Sequence, residues 1–271
     1  MKENKEKQLI LAEFSPSGST NEIGTYLIKK LGEKTGMPWQ HRSFTKPSER
    51  KERLFFDKDS WVVFAMPVYA GRLPSLLKPY LSHMQGRGAK VFLVSVYGNR
   101  HYDDALREME EFSIAAGMTV VGGAAIVARH VFSEIIARGR PDKKDFEIID
   151  RYIPSIIEAF TAGNSFVIPG EGELKYYQPT GIQGEKTNIV KVKPSTKAGC
   201  IACQKCVESC PLGSIDSLDP RVVSGKCMKC CACLLACPLG LKHFDDRDFQ
   251  SHLLSLEENF IKRREPEFFL P

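Results

Sequence analysis

The sequence predicts an α/β protein in two parts. The first is a doubly wound, five-stranded parallel sheet within residues 1–162; the second is a small α+β module at 195–245, reached through a linker or strap at 163–194 and followed by a helix and tail at 246–271. Three observations predict this. From Gln8 to about Gly163, short apolar runs alternate with amphipathic stretches. A hydroxyl-rich loop leaves the first apolar run and opens a helix. All nine cysteines lie after residue 199, and eight of them form two copies of C-x2-C-x2-C-x3-C-P.

The alternation reads as strand, helix, strand throughout. Leu9-Ile10-Leu11-Ala12-Glu13-Phe14 is the first strand, and 20–31 is a helix with Ile23, Tyr26, Leu27 and Leu31 on one face. A weaker strand spans Trp39 to Ser43, and Trp61-Val62-Val63-Phe64-Ala65 is a buried-type strand. A helix is expected at 76–84, with Pro74 near its start. The run 90–96 is the next strand, followed by a helix at 103–116 with Asp103 as its cap. A strand at 118–128 and a helix at 144–162 complete five β-α units.

The loop Ser15-Pro16-Ser17-Gly18-Ser19-Thr20-Asn21 carries four hydroxyls and one glycine. At the start of a helix it offers hydroxyls, backbone N–H groups and the positive helix end to a phosphate. It contains no lysine, so it is not a Walker loop, and it lacks the G-x-G-x-x-G pattern of dinucleotide sites. No nicotinamide fingerprint is visible elsewhere.

The cysteine runs are Cys200, Cys203, Cys206, Cys210 with Pro211, and Cys227, Cys230, Cys233, Cys237 with Pro238. This is the ligand run of bacterial two-cluster ferredoxins, in which the fourth cysteine serves the other [4Fe–4S] cluster. Applied here, Cys200, Cys203, Cys206 and Cys237 hold one cluster, and Cys227, Cys230, Cys233 and Cys210 the other. Zinc sites and disulfide frameworks fit four closely spaced cysteines, repeated twice, poorly. Cys231, next to Cys230, reads as a small buried hydrophobe. Each proline is expected to start a helix after the fourth ligand. A module this short lacks a sufficient hydrophobic core, so metal binding and folding should be one event.

The loop Ser15-Pro16-Ser17-Gly18-Ser19-Thr20 resembles the (S/T)-x-(S/T)-G-x-(S/T) phosphate loop of the flavodoxin family, whose cofactor is FMN. That resemblance implies phosphate binding at Ser15, Ser17, Gly18, Ser19 and Thr20. It also implies flavin-ring contact from two loops, Pro67, Val68, Tyr69, Ala70 and Gly71, and Tyr97, Gly98, Asn99, Arg100 and Tyr102. Tyr69 and Tyr97 are the candidates for contact with the ring, and Gly71 and Gly98 for close backbone approach. Trp39 and Trp61, in or beside strands, do not match the tryptophan that flavodoxins often place against the flavin. A flavodoxin-like half followed by a ferredoxin-like module resembles the flavodoxin–ferredoxin fusion electron-transfer proteins of anaerobes. The resemblance implies electron transfer between FMN and two [4Fe–4S] clusters, with a redox protein partner such as a ferredoxin, a flavoprotein or an oxidoreductase. Two alternatives stand beside it: an FMN-dependent reductase of a small substrate fed by ferredoxin or NAD(P)H, and a non-redox scaffold that has lost FMN. A flavin remote from the nearer cluster would place transfer between the subunits of a homodimer.

Composition bounds the rest. Of 271 residues, 42% are hydrophobic and 26% charged, as in a soluble globular protein. The polar start 1–7 contains no signal-peptide pattern, and no apolar run is long enough to span a membrane, so a cytoplasmic location with reduced thiols is expected. The formal charge of +5 hints at nucleic acid. Eight thiolates around two oxidised cubane cores bring it to about +1, and no basic run with interleaved aromatics argues otherwise. Lys205 and Lys229, inside the cysteine runs, are candidates to tune the clusters, and His101 and His130 to face the flavin site. In the strap, Tyr176-Tyr177 and Ile189-Val190 are expected to pack on a domain. The tail's Phe268-Phe269-Leu270 should cover a surface of this chain or of a partner.

Overall fold

The computed structural model describes residues 8–271; the polar start at 1–7 lies outside the described residues. Five parallel strands, β1 (Gln8–Glu13), β2 (Trp39–Ser43), β3 (Ser60–Pro67), β4 (Lys90–Tyr97) and β5 (Thr119–Val127), lie in the order β2-β1-β3-β4-β5. This is the flavodoxin-like order, which reverses direction between β1 and β3 and opens a crevice at the carboxyl ends of those strands. Every residue of β3 is buried, because helices cover both faces of the sheet. One face packs on α1 (Ser19–Thr35) and α4 (Lys143–Ala162), where Ile23, Leu27 and Leu31 meet Leu9, Leu11, Val63 and Ile153 in one core cluster. The other packs on α3 (Ala105–Ala115) and a short α2 (Lys78–Leu81), through Leu77, Leu81, Leu106 and Met109.

Three local features differ from the sequence reading. The helix expected at 76–84 is a 3-10 turn (Ser75–Leu77) followed by the single turn of α2. Pro79 has no N–H and its ring would meet the carbonyl one α-turn earlier, so an α-helix cannot run through 75–79. Asp103 is not the cap of α3. It sits at a left-handed φ of 40° and pairs with Arg100 and His101; Asp104 takes the N-cap position. The sheet has six strands, not five. The tail supplies β8 (Glu267–Phe269), antiparallel to β5. Phe268 stacks on Tyr152 of α4 at 4.0 Å, and Phe269 packs on the α3-side core. A Cβ at Gly122 would lie 2.7 Å from the Phe269 carbonyl oxygen, so the close approach of this strand requires glycine there.

The tail is locked by buried polar groups. Asp145, in the first turn of α4, is fully buried and accepts from Arg140 Nε at 2.6 Å, from the Asp142 N–H at 2.8 Å and from Arg263 at 3.2 Å. Arg140 also donates to the Arg264 carbonyl at 2.8 Å.

The cysteine module repeats itself with a period of 27 residues, visible in its backbone as well as in its sequence. Helices α5 (Lys205–Ser209) and α6 (Ala232–Ala236) correspond. So do the left-handed residues Ala202 and Lys229, Gln204 and Cys231, and Gly213 and Gly240. A two-stranded ribbon, β6 (Ser195–Thr196) with β7 (Lys242–His243), closes the module, and α7 (Arg247–Asn259), capped by the Asp246 carboxylate, follows. Pro211 and Pro238 do not start helices. Each follows the residue that ends one, Cys210 or Cys237, held extended at ψ 115° and 110°, because a residue before proline avoids the helical region.

Residues 163–194 run as a strap against the first domain, the cysteine module and α7. The Tyr177 N–H donates to the Ala70 carbonyl at 2.8 Å. Tyr176 lies under Arg72 and Lys78 at 5.0 and 4.9 Å, and Tyr177 under Arg100 at 4.0 Å. Further along, the Asn188 N–H donates to Asp248 at 2.8 Å, and Lys193 to the Val223 carbonyl at 2.9 Å.

Candidate functional site

The carboxyl ends of β1, β3, β4 and β5 end in loops around one cavity of about 1340 Å³. Ser17, Ser19 and Thr20 line it at the start of α1. Among the described residues their hydroxyls have no hydrogen-bond partner, whereas the Ser15 hydroxyl is engaged by the Asn21 N–H at 2.9 Å. Thr20 is buried. The arrangement presents free hydroxyls at the positive end of a 17-residue helix, which is what a bound phosphate needs.

Pro67, Val68, Tyr69, Ala70 and Gly71 all line the cavity, as do Tyr97, Gly98 and Arg100. Four expected contacts are not on its wall: Ser15, Gly18, Asn99 and Tyr102. Gly18 is the left-handed N-cap of α1. Asn99 is buried and spends its amide on the Phe260 and Lys262 carbonyls, at 2.6 and 2.9 Å, fastening the end of α7. The Tyr102 hydroxyl bonds Glu267 of the tail at 2.9 Å. Tyr97 touches the cavity, but its ring belongs to the core, 2% exposed and edge-on to Tyr102. The glycines serve the protein's own packing. A Cβ at Gly98 would lie 2.6 Å from the His130 ring, and one at Gly71 would run into the Asp103 carboxylate.

The roof is made by residues that sequence reasoning left in the linker. Tyr176 to Pro179 and 186–191 of the strap line the cavity, together with 224–229 of the cysteine module and His252 of α7. His130 reaches the wall from the loop after β5, and no pattern in the sequence marks it as a neighbour of His252. Burial, with the charges of His252 and Arg100 adding to it, holds the His130 imidazole down at about 4. Between that value and its ordinary 6.5 the unfolded chain binds a proton that the folded chain does not. Stability is therefore fully present above pH 6.5 and is lost as pH falls toward 4. The expected loss between pH 7 and 4 is on the order of 2 kcal/mol. Denaturant titrations of wild type and His130→Gln should show a steeper acid decline for wild type; parallel profiles would contradict it.

Cys210, Cys227, Cys230, Cys231 and Cys233 line a second, smaller cavity with Pro194, Pro211, Ile215 and Phe244. Among the described residues, no three His, Cys, Asp or Glu side chains converge on one point as for a single ion; these five cysteines, the four predicted ligands of one set and Cys231, ring a space instead. All nine cysteines are unbridged. Backbone N–H groups point at the sulfurs, from Ser214 to Cys210 and from Leu241 to Cys237, both at 3.3 Å. Of the other predicted set, Cys206 is buried and Cys203 exposed, with Cys200 and Cys237 between these extremes. Cys231 is buried against Val192, Phe244 and Phe249. The Lys229 side chain donates to the Val190 carbonyl of the strap and to the Cys227 carbonyl, and Lys205 is exposed. Lys226, Cys227 and Met228 line both cavities and so form the partition between them. Tyr69 stands on the same boundary: burial, with the Cys230, Cys231 and Cys227 thiols adding to it, pushes its phenol well above the ordinary range.

No family model matches the chain, and no curated protein matches it in sequence. Among solved structures it is similar to a Streptococcus pneumonia TIGR4 flavodoxin, 16% identical over 58% of this chain and 99% of that one, with a TM-score of 0.38. A flavodoxin from the domain Archaea is 19% identical over 57% and 99%, TM-score 0.38. Oxidised Flavodoxin 2 from Bacillus cereus is 17% identical over 56% and 99%, TM-score 0.40. It is the strand order β2-β1-β3-β4-β5, not these similarities, that makes the first domain flavodoxin-like. No helix among the described residues is long and apolar enough to cross a membrane.

Proposed function

We propose that this chain is an electron-transfer protein that binds FMN in the large cavity and two [4Fe–4S] clusters in the cysteine module, and that exchanges electrons with a redox protein partner. The observation that carries the reading is the partition at Lys226, Cys227 and Met228, one wall with a face on each cavity. Bound there, a flavin supplies one- or two-electron exchange and each cluster one-electron exchange.

The residues suit both groups. Ser17, Ser19 and Thr20 offer unpaired hydroxyls at a helix N-terminus to the FMN phosphate. The loops at 67–71 and 97–100 would flank the ring, and the strap would exclude water from above. In the module, Cys227, Cys230, Cys233 and Cys210 would hold the cluster beside the partition, and Cys200, Cys203, Cys206 and Cys237 the outer one. The N–H groups of Ser214 and Leu241 donate to the Sγ atoms of Cys210 and Cys237; with these cysteines as ligands, such bonds would favour a cluster's reduced state. Cys203 is exposed, so in this reading the outer set would be the side that meets a partner.

Acid extraction of anaerobically purified protein is expected to yield about one FMN and eight iron per chain. Iron without flavin would leave a scaffold that has lost FMN; neither would end the reading. Replacing Ser17 with alanine together with Thr20 with valine should weaken FMN binding by about 1.5–3 kcal/mol, roughly tenfold to a hundredfold, as measured by flavin release. Unchanged affinity would move the phosphate elsewhere.

A further inference from the structure

The large cavity is bigger than one cofactor requires, and its charged residues have one sign. A pocket for a single drug-sized ligand measures roughly 300–1,000 Å³, against about 1340 Å³ here. Seven cationic side chains line it and no Asp or Glu does. Composition does not account for this, since the chain carries 38 basic against 33 acidic residues.

Three of the seven are occupied. Arg100 pairs with Asp103, Lys193 donates to the Val223 carbonyl, and Lys229 donates to the Val190 carbonyl. Arg129, Lys186, Lys191 and Lys226 have no ion-pair partner among the described residues. They come from three separate segments: the loop after β5, the strap and the cysteine module. Like charges gathered from different segments repel, and a solvated surface normally intersperses the two signs. A second observation lies on the same wall. Thr187, between Lys186 and Asn188 in the strap, is 4% exposed, and its hydroxyl has no partner. A buried hydroxyl without a partner costs free energy unless a ligand or water completes it. Around these groups the lining is apolar, with Val131, Phe132, Ile189 and Leu256. The hydroxyl loop already supplies donors for one phosphate, so the strap cations are left for something else.

We propose that the part of the cavity between the strap and the cysteine module binds a small organic molecule with an apolar body and two or more anionic groups, carboxylate or phosphate, next to the flavin site. The chain would then have a diffusible anionic ligand beside the proposed protein partner. Lys186, Lys191, Lys226 and Arg129 hold the anionic groups, and Thr187 donates its hydroxyl. The proposal rests on the flavin reading only for which part of the cavity stays free.

The test uses the full chain, purified anaerobically with its bound cofactors, titrated calorimetrically with isophthalate and, separately, with inorganic pyrophosphate. Saturable binding of at least one probe is expected. Lys186→Glu with Lys191→Glu should weaken it at least about tenfold, and raising salt from about 0.05 to about 0.5 M should weaken it similarly, with FMN and iron content unchanged. Thr187→Val should weaken it severalfold while leaving thermal stability unchanged or raised. Absence of saturable binding by both probes would overturn the proposal, as would binding indifferent to the two charge reversals. Loss of FMN in the charge-reversed variant would also overturn it, because the lysines would then belong to the flavin. A chain that extracts without flavin yet binds a probe with the same sensitivity would sink the flavin reading and support this one.

Discussion

Cys230→Ser is expected to lose about half of the chain's iron and acid-labile sulfide, roughly four of eight atoms of each. Cys230 lines the inner cavity with Cys210, Cys227, Cys231 and Cys233, so its loss should empty that site alone. The crossed assignment makes a sharper demand. Cys210 belongs to the first sequence run but to the second spatial set. Cys210→Ser combined with Cys230→Ser should therefore lose no more iron than either alone, whereas Cys230→Ser combined with Cys237→Ser should lose nearly all of it. A ligand set that followed sequence order would reverse these outcomes. Cys231→Ala, one residue away, should keep full iron, because Cys231 packs against Val192, Phe244 and Phe249. The ligand variants, unlike Cys231→Ala, should open 195–245 to proteolysis. The module has little hydrophobic core beyond the residues around its cavity, and its metal centres would supply the folding free energy.

Asp145→Ala is expected to destabilise the chain by about 3–5 kcal/mol, on the order of 10 °C in melting temperature. Asp145 is wholly buried and Arg140 is 6% exposed; removing the carboxylate strands a guanidinium away from water. It also deprives the first turn of α4 of the carboxylate that receives the Asp142 N–H. The Arg263 contact would go too, so the tail should become sensitive to protease before the sheet does. A melting temperature within a degree or two of wild type would mean that Arg140 finds water or another acid, and that the tail is held by β8 alone.

Much of the fold was legible because its signal is local. Buried runs such as 61–65 and 90–96 can only be central strands in an alternating chain, and the hydroxyl loop sits where the first strand must end. The repeat of the cysteine module was legible in its spacing, and the backbone carries the same period of 27 residues. What escaped was long-range. Nothing in Glu267-Phe268-Phe269 distinguishes an added antiparallel strand from a surface patch, since three residues carry no period. Asn99 reads as a loop residue facing a ligand, yet its amide is consumed by carbonyls more than 160 residues away. The strap's glycines and prolines suppress any periodicity, so its role as a roof depends on contacts such as Tyr177 with Arg100. Gly71 and Gly98 were legible as tight positions, but not what fills the space beside them.

The sixth strand has a consequence for synthesis. β5 ends at Val127 and its antiparallel neighbour begins at Glu267, so the ribosome makes the whole cysteine module in between. At about 5–20 residues per second, the outer edge of β5 stays unpaired for roughly ten seconds or more. An uncovered edge is a template for pairing with another nascent chain. If the module holds iron as proposed, iron supply during that interval would bear on the yield of the flavodoxin-like sheet as well as on the module: a module that folded promptly would bring α7 and the tail to their places, and one starved of metal would leave the edge open for longer.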